Sequence, residues 1–374
     1  MIYLDNAATT LPDPQVVETI TETLTRYPGN PSSLHKLGRE AARLLTSCRE
    51  TILQALGGDG SLIFTSGGTE SNNWAIQGAL HLMRHKGRHI VSTAMEHDAV
   101  LAPLKELGDR GYEVSLLQPD STGQISMDAL ANALREDTVL VSVMQVNNET
   151  GAVLPIQEMA EIIRWKSNAL FHTDAVQAFG KISLCPTELG VDLLSINAHK
   201  LHGPCGVGAL WIRDGVKLPP LLRGGGQENG LRSGTETLHN IAGFAKAVEL
   251  SIPRLSETTA HLETLQTYLR ETLPLSLPQV RFLPQGAPHI VSLSLPGAKS
   301  EVLMNFLDSL DIYLSHASAC KRGGRSHVLS AMGLPADVID GTIRVSFSRE
   351  TSTADLDQFI SALKEACTIL FPRL

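Results

Sequence analysis

The chain has 374 residues, of which 43% are hydrophobic and 19% are charged. This balance excludes an intrinsically disordered protein and predicts a chain long enough for two domains, each with a buried core. The net charge of −8 argues against a generally basic nucleic-acid-binding protein, and five cysteines are too few for a disulfide framework.

No targeting or membrane signal is present in the sequence. The opening residues, MIYLDNAATT, have neither a basic region nor a long apolar stretch, and no window approaches the roughly 20 apolar residues of a membrane span. The sparse cysteines are typical of a reducing compartment. We therefore expect a cytoplasmic enzyme with no membrane and no direct nucleic-acid partner.

Apolar runs typical of buried strands alternate with segments of helical period. The first helical pattern, at residues 34–56, repeats apolar side chains at three- and four-residue spacing. Strand-like runs occur at 62–65, 89–93, 113–117, 139–146, 169–173, 193–197 and 208–212, with helical patterns at 74–82, 99–107, 127–134 and 156–166 between them. This alternation predicts an α/β fold with a mostly parallel sheet covered on both faces.

The chain changes character after residue 250, where a helical pattern is followed by a proline-rich stretch at 273–288. The predicted elements there are a helix through 262–269, a strand at 289–295, a helix at 301–310 and a strand at 342–348. This order predicts a smaller α+β domain. We place the large domain at 13–255 and the small domain at 1–12 and 256–374.

Polar side chains of catalytic types follow five of the predicted strands. They are Thr69, Glu96 with His97, Asn147 with Asn148, Asp174, and His199 with Lys200. In an open α/β sheet the ligand crevice lies outside the carboxyl ends of the strands, so these side chains are expected to converge. The alternative is that loops are polar for reasons of solubility alone.

The turn Ser66-Gly67-Gly68-Thr69 leads from a predicted strand into a helix. Small residues and a helix N-terminus together favour a bound phosphate, although a plain glycine turn with a threonine cap explains the segment equally well. The sequence contains neither GxxxxGK[ST] nor a convincing GxGxxG after a strand, which argues against a nucleoside triphosphate or a dinucleotide.

Lys200 follows an apolar strand directly, and Asp174 is followed one helical turn later by Gln177. Partial burial makes an amine a usable nucleophile toward an aldehyde, and a carboxylate can pair with a pyridinium nitrogen. A lysine, an aspartate and a phosphate-binding turn are the groups that pyridoxal phosphate requires. Taken alone, Lys200 is better explained as a solvated surface lysine.

Motifs spread along nearly the whole chain carry a specific resemblance. They are YLDNAATT at 3–10, GNPSS at 29–33, TSGGTESNN at 65–73, EH at 96–97, VNNETG at 146–151, TDAVQ at 173–177, AHKLHGP at 198–204, GGGQE at 224–228, RSGT at 232–235, SAC at 318–320 and IRVS at 343–346. In this order they resemble the cysteine desulfurases (NifS/IscS-like), of the class-V aminotransferases. The resemblance implies the aspartate-aminotransferase-like fold (type I of the pyridoxal-phosphate enzymes) and pyridoxal 5′-phosphate as cofactor.

The resemblance also implies a role for each matching residue. Lys200 would hold the cofactor covalently, Asp174 would pair with the ring nitrogen, Gln177 would bond the phenolic oxygen, and His97 would lie against the ring and transfer protons. Gly68, Thr69, Asn197 and His199 would hold the phosphate, and Thr235 would reach the phosphate of a neighbouring subunit in a homodimer. Arg344 would bind the substrate carboxylate, with Asn148 near it and near the ring.

Cys320 decides the reaction, because sulfur abstraction needs a thiolate and ordinary aminotransferases need none. The segment from His316 to His327 holds Lys321, Arg322 and Arg325 and no acidic residue. Nearby cations favour a thiolate, whereas a buried free cysteine would be inert. The implied activity is removal of sulfur from L-cysteine, giving L-alanine and a persulfide on Cys320. That sulfur would pass to an iron–sulfur scaffold or a tRNA-thiolation enzyme, and the sequence leaves the acceptor open.

The sequence leaves three other functions open. A selenocysteine lyase or a cystine C–S lyase could use the same scaffold, and the second need not use Cys320. A catalytically weak sulfur-carrier module is the alternative from outside enzymes. No metal site is predicted, since His81 and His85 lie four residues apart on a helix without a third ligand.

Overall fold

The computed structural model describes residues 1–316 and 324–372. Its strands are β1 (Ile2–Tyr3), β2 (Ser61–Thr65), β3 (His89–Thr93), β4 (Glu113–Leu117), β5 (Thr138–Ser142), β6 (Leu170–Asp174), β7 (Leu193–Asn197), β8 (Gly208–Ile212), β9 (Arg281–Phe282), β10 (Ile290–Ser294), β11 (Ile312–Tyr313), β12 (Ser315–His316) and β13 (Thr342–Ser346). Its α-helices are α1 (Pro14–Arg26), α2 (Lys36–Ala55), α3 (Gly68–Met83), α4 (Asp98–Asp109), α5 (Met127–Ala133), α6 (Ile156–Lys166), α7 (Pro186–Leu189), α8 (Leu238–Ser251), α9 (Leu255–Ser276), α10 (Ser300–Asp308), α11 (His327–Ala331), α12 (Ala336–Asp340) and α13 (Thr353–Leu370).

A seven-stranded sheet in the order β2-β8-β7-β6-β5-β3-β4 forms the centre of the described chain. β8 runs antiparallel to both of its neighbours, and the remaining pairs are parallel. Successive residues of the central strands belong to separate apolar clusters: Val141 and Phe171 lie in one, Leu140 and Leu170 in the other. This alternation is the two-residue period of a strand covered on both faces, so the predicted α/β class with a mostly parallel sheet is confirmed.

A second, antiparallel sheet follows the order β12-β13-β10-β9, and β1 pairs in parallel with β11. The apolar cluster on this sheet collects side chains from α9, α10 and α13 together with Ile2 and Leu4 from the first residues. The chain start is therefore built into the structure formed by the last hundred residues. The domain boundaries at 12/13 and 255/256 stay a prediction.

Some predicted elements differ from the structure in extent. The strand predicted at 139–146 ends at Ser142 in the structure. Beyond it, Val143 and Gln145 still donate to the carbonyls of His172 and Asp174, but the chain no longer forms a regular ladder. Helix α9 continues to Ser276 with Pro274 inside it, beyond the predicted proline-rich break. Helices α1, α8 and α13 were not predicted. Within the described part of the chain, none of the helices combines the length and apolar character that a membrane crossing requires.

Candidate active site

A cavity of about 550 Å³ lies where the parallel strands of the central sheet end. Ten residues predicted as functional line it: Gly68, Thr69, His97, Asn148, Asp174, Gln177, Asn197, His199, Lys200 and Arg344. Thr235 lines a neighbouring cavity of about 230 Å³, which shares Ser66 and Gly206 with the first. Cys320 lies outside the described residues.

The glycine turn opens helix α3 directly onto this cavity. Gly67 is the N-cap residue with φ of 153° and ψ of −178°, a region that suits glycine, and no side chain caps the helix. Thr69 lies inside the helix, so the alternative of a threonine cap is wrong. A Cβ on Gly68 would approach the Val176 side chain to 2.7 Å, so only glycine brings the backbone this close. The first-turn amides of α3 can therefore receive a phosphate.

Asp174 ends β6 with its carboxylate almost completely buried. Its Oδ2 accepts a hydrogen bond from Asn72 Nδ2 at 2.6 Å, and its Oδ1 accepts one from the Val176 amide at 2.9 Å. Burial raises the pKa of Asp174, although these hydrogen bonds and the charges of His97 and Lys200 oppose the shift. A cation placed at this carboxylate would restore its charged form.

Lys200 and His199 follow β7 and face the chain start. Lys200 Nζ donates to the carbonyl oxygens of Ala7 and, at 2.5 Å, of Ala8, so it is not a solvated surface lysine. His199 Nδ1 lies 3.2 Å from Thr9 Oγ1. Burial, with a further contribution from Lys200, lowers the pKa of His199 to about 4. These effects favour the neutral ring, which can still donate a hydrogen bond to a phosphate.

Arg344 lies on β13 and is only 2% exposed, so it is not a surface arginine. Its Nη1 donates to the Asn148 carbonyl at 2.8 Å, and its Nη2 donates to Asp5 Oδ1 at 2.8 Å. Its Nε has no hydrogen-bond partner among the described residues. A buried guanidinium that retains an unpaired donor is suited to a carboxylate ligand.

His97 is the N-cap of α4 and lines the cavity beside Asp174. Its Nδ1 accepts a hydrogen bond from the Ala99 amide at 3.1 Å. Because Nδ1 acts as the acceptor, the neutral ring carries its proton on Nε2. In this form His97 can donate a hydrogen bond through Nε2–H.

Glu96 is fully buried next to His97. Its Oε1 accepts from Thr93 Oγ1 at 2.7 Å and from the Met144 amide at 2.9 Å, while Oε2 has no partner among the described residues. Burial raises the pKa of Glu96 to about 8 against the effect of these hydrogen bonds. Between the ordinary carboxyl pKa of 4.5 and about pH 8, the folded protein therefore keeps a proton on Glu96 that the unfolded chain has lost.

The upward shift in the pKa of Glu96 can be tested with Glu96→Gln. As pH rises from 6 to 8, the free energy of unfolding of the parent is expected to fall relative to the variant, by about 1.4 kcal/mol per pH unit at most. Urea unfolding at both pH values measures the difference. Glu161→Gln, at an exposed carboxylate of α6, is the control for removing an acid. An unchanged difference between pH 6 and pH 8 would show that Glu96 is ionised in the fold.

A family model described as aminotransferase class-V matches residues 2–359. The chain belongs to this family. The cysteine desulfurase of Nostoc sp. is 42% identical over 98% of this chain and 92% of its own length. Cysteine desulfurase IscS of Methanosarcina thermophila is 40% identical over 97% of this chain and 91% of its own. A solved NifS-like protein has a TM-score of 0.93 and 36% identity, covering 99% of this chain and all of its own.

Class-V aminotransferases depend on pyridoxal phosphate, and the residues present fit that group. The cavity combines a buried carboxylate at Asp174, an amine at Lys200 and the uncapped first turn of α3. Asn197, also in its wall, has a side-chain Nδ2 that can donate to a phosphate. A ligand with a phosphate, a ring nitrogen and an aldehyde would meet a matching group at each position.

Two residues of this class-V aminotransferase site were missed from the sequence. Asn72 fixes the Asp174 carboxylate, and Asp5 pairs with Arg344. Both lie inside the quoted motifs, which was the available signal.

Within the described ranges, no three His, Cys, Asp or Glu side chains are grouped closely enough to hold a metal ion.

The cysteines other than Cys320 differ in their exposure to solvent. Cys48 and Cys367 are buried, and burial raises their thiol pKa values to about 12 and about 11. Cys205 is exposed at the cavity wall. Arg325 Nε lies 2.7 Å from Asp340 Oδ1. The positive charge of Arg325 is therefore compensated by an acidic residue that lies outside the basic segment 316–327.

Proposed function

We propose that the chain is a pyridoxal-phosphate-dependent cysteine desulfurase, which converts L-cysteine and the Cys320 thiol into L-alanine and a persulfide on Cys320. The observation that carries the proposal is the convergence of Lys200, Asp174 and Arg344 on one cavity. These side chains match the aldehyde and ring nitrogen of the cofactor and the carboxylate of an amino acid. Relatives named cysteine desulfurase, matching almost the whole chain, support L-cysteine as substrate.

The cofactor, when bound, withdraws electrons from the carbon that carries the substrate's amino group. Asp174, held by Asn72, would keep its ring nitrogen protonated. Gln177 donates one amide hydrogen to the Ala7 carbonyl at 2.8 Å and has a second for the phenolic oxygen. The phosphate would be held by Gly68, Thr69, Asn197 and His199.

Proton movement would be divided between Lys200 and His97. The carbonyls of Ala7 and Ala8 fix the Lys200 amine at the cavity wall, where it would remove the proton from the substrate's α-carbon. His97, held at Nδ1 by the Ala99 amide, would assist proton transfer on the cofactor side. Arg344 and Asn148 would orient the substrate through its carboxylate.

The sulfur step would use Cys320. Its thiolate would attack the substrate's sulfur, the carbon–sulfur electron pair would pass to the substrate, and protonation there would complete L-alanine. The persulfide would then transfer to an acceptor protein, either an iron–sulfur scaffold or a tRNA-thiolation enzyme. Two relatives carrying the IscS name are consistent with the first acceptor.

We further place the enzyme in the cytoplasm as a homodimer with shared active sites. The position of Thr235 supports shared active sites. The cavity lined by Thr235 adjoins the active-site cavity at Ser66 and Gly206, but Thr235 does not line the active-site cavity of its own chain. In a homodimer, Thr235 of each chain would complete the phosphate site of the other.

The proposal is tested by Cys320→Ala. With L-cysteine and a reductant, the parent should release alanine and sulfide in equal amounts, and the variant should lose both by at least about a hundredfold because no thiolate takes the sulfur. Cys185→Ala, at a half-buried thiol beside Thr187, is the matched control and should match the parent.

Two outcomes would redirect the assignment. Alanine-free sulfur release that survives in Cys320→Ala would indicate a cystine lyase, and assays with cystine would then show the faster rate. A cofactor-loaded parent that acts on selenocysteine but not on cysteine would indicate a selenocysteine lyase.

A further inference from the structure

The first residues of the chain are attached to the strand that carries Arg344. Asp5 forms a parallel bridge with Ser346 of β13, the Ala7 amide donates to Ser346 Oγ at 2.8 Å, and Asn6 Nδ2 donates to the Ser346 carbonyl at 3.0 Å. These contacts fix the backbone on both sides of residue 5. The Asp5 side chain therefore lies beside Arg344 as part of the fold.

The guanidinium of Arg344 is already partly satisfied in this arrangement. Asp5 Oδ1 lies 2.8 Å from Nη2, and the side chains of Arg344 and Asp5 are 3% and 20% exposed. With Nη1 on the Asn148 carbonyl, two of the three guanidinium nitrogens have partners, one of them a carboxylate. The positive charge that would attract a substrate carboxylate is thus compensated from within the chain.

We propose that Asp5 is an internal carboxylate that opposes the substrate carboxylate at Arg344 and so sets the affinity of the site for amino acids. The inference rests on the proposed function, in which Arg344 binds the substrate's α-carboxylate. Two carboxylates on one guanidinium repel each other in a poorly solvated site, so the second binds less tightly than it would to an unpaired arginine.

The same contact has a structural reason. An arginine that is 3% exposed would be strongly destabilising without a counter-charge while no substrate is bound. Asp5 supplies that counter-charge and holds the guanidinium in place, at the expense of substrate affinity. Charge and position are separable, because asparagine keeps the accepting oxygen and removes only the charge.

The test is Asp5→Asn in the cofactor-loaded, full-length enzyme. The dissociation constant of L-alanine, followed through the absorbance of the bound cofactor without turnover, is expected to fall about three- to tenfold. The KM for L-cysteine should fall with it. Cysteamine, which has the amine and thiol of cysteine but no carboxylate, should bind the parent and the variant equally.

Asp13→Asn is the matched control, because Asp13 pairs with Arg349 outside the active-site cavity and asparagine preserves the N-cap of α1. It should leave L-alanine binding unchanged. Asp5→Ser, a smaller neutral acceptor, checks that any gain follows the lost charge, and thermal unfolding of each variant verifies the fold.

Unchanged or weaker L-alanine binding in both Asp5 variants would overturn the inference and leave Asp5 as a positioning residue alone. A gain that extends to cysteamine would overturn it as well, since the effect would then not act through the carboxylate. A parent that neither binds L-alanine nor forms it from L-cysteine would overturn the proposed function, and this inference with it.

Discussion

Replacement of Lys200 by alanine is expected to lower alanine formation from L-cysteine by at least about 10⁴-fold. Lys200 is the one lysine among the described residues that line the cavity, and its amine is positioned by two backbone carbonyls. Without it, no group holds the cofactor covalently or removes the substrate's α-proton. The measurement is alanine release from cofactor-reconstituted protein, with retention of the cofactor on dialysis as a second readout.

Two controls separate chemistry from folding. Lys200→Arg keeps the positive charge but cannot condense with an aldehyde, and it should be as inactive as the alanine variant. Added methylamine should restore part of the lost rate in Lys200→Ala, because a free amine can occupy the space of the missing side chain. Turnover above a hundredth of the parental rate in both variants would exclude Lys200 as the catalytic amine.

Asp174→Asn is expected to lower the turnover rate by about 10²- to 10³-fold and to weaken cofactor retention. The carboxylate is buried and oriented by Asn72 and the Val176 amide, and asparagine preserves its shape while removing its charge. A neutral partner cannot keep the ring nitrogen protonated, so the cofactor would stabilise the substrate's carbanion less well. Steady-state kinetics and cofactor titration of the variant measure both effects.

Asp192→Asn provides the comparison for Asp174. Asp192 accepts from the Phe171 amide at 2.7 Å and from Arg213, and it precedes the first residue of β7, at the end of that strand opposite the cavity. Its replacement should reduce the free energy of unfolding without altering cofactor retention. Equal turnover in Asp174→Asn and the parent would show that the ring nitrogen does not depend on this carboxylate.

The sequence was most informative where a strand runs straight into a functional residue. Asp174 ends one fully buried five-residue strand and Lys200 comes shortly after another, so their place at the sheet end could be predicted from the apolar runs alone. Arg344 was harder, because its strand is buried on both faces and the alternation of Ile343 and Val345 does not reveal an enclosed arginine.

Helix α1 shows why other elements were missed. Its sequence, PQVVETITETLTR, is rich in β-branched residues that disfavour a helix locally. Asp13 caps it, Pro14 occupies its first turn, and packing of Val16 and Ile20 in the main core completes it. Tertiary contacts, which a local pattern does not contain, determine the outcome here.

Contacts between distant residues could not be deduced from spacing. Asp5 and Arg344 are 339 residues apart, and Asn72 and Asp174 are 102 apart. A motif shows that such residues belong to the family pattern but not which of them touch. The position of Cys320, outside the described residues, stays a prediction.

The attachment of the first residues to β11 and β13 has a consequence for biosynthesis. The bond from the Ala7 amide to Ser346 and the pairing of Asp5 with Arg344 form only after β13 has left the ribosome. The central sheet can assemble earlier from neighbouring segments, whereas this closure joins the two ends of the chain. A nascent chain therefore completes the part of the site around Arg344 only after β13 has been synthesised.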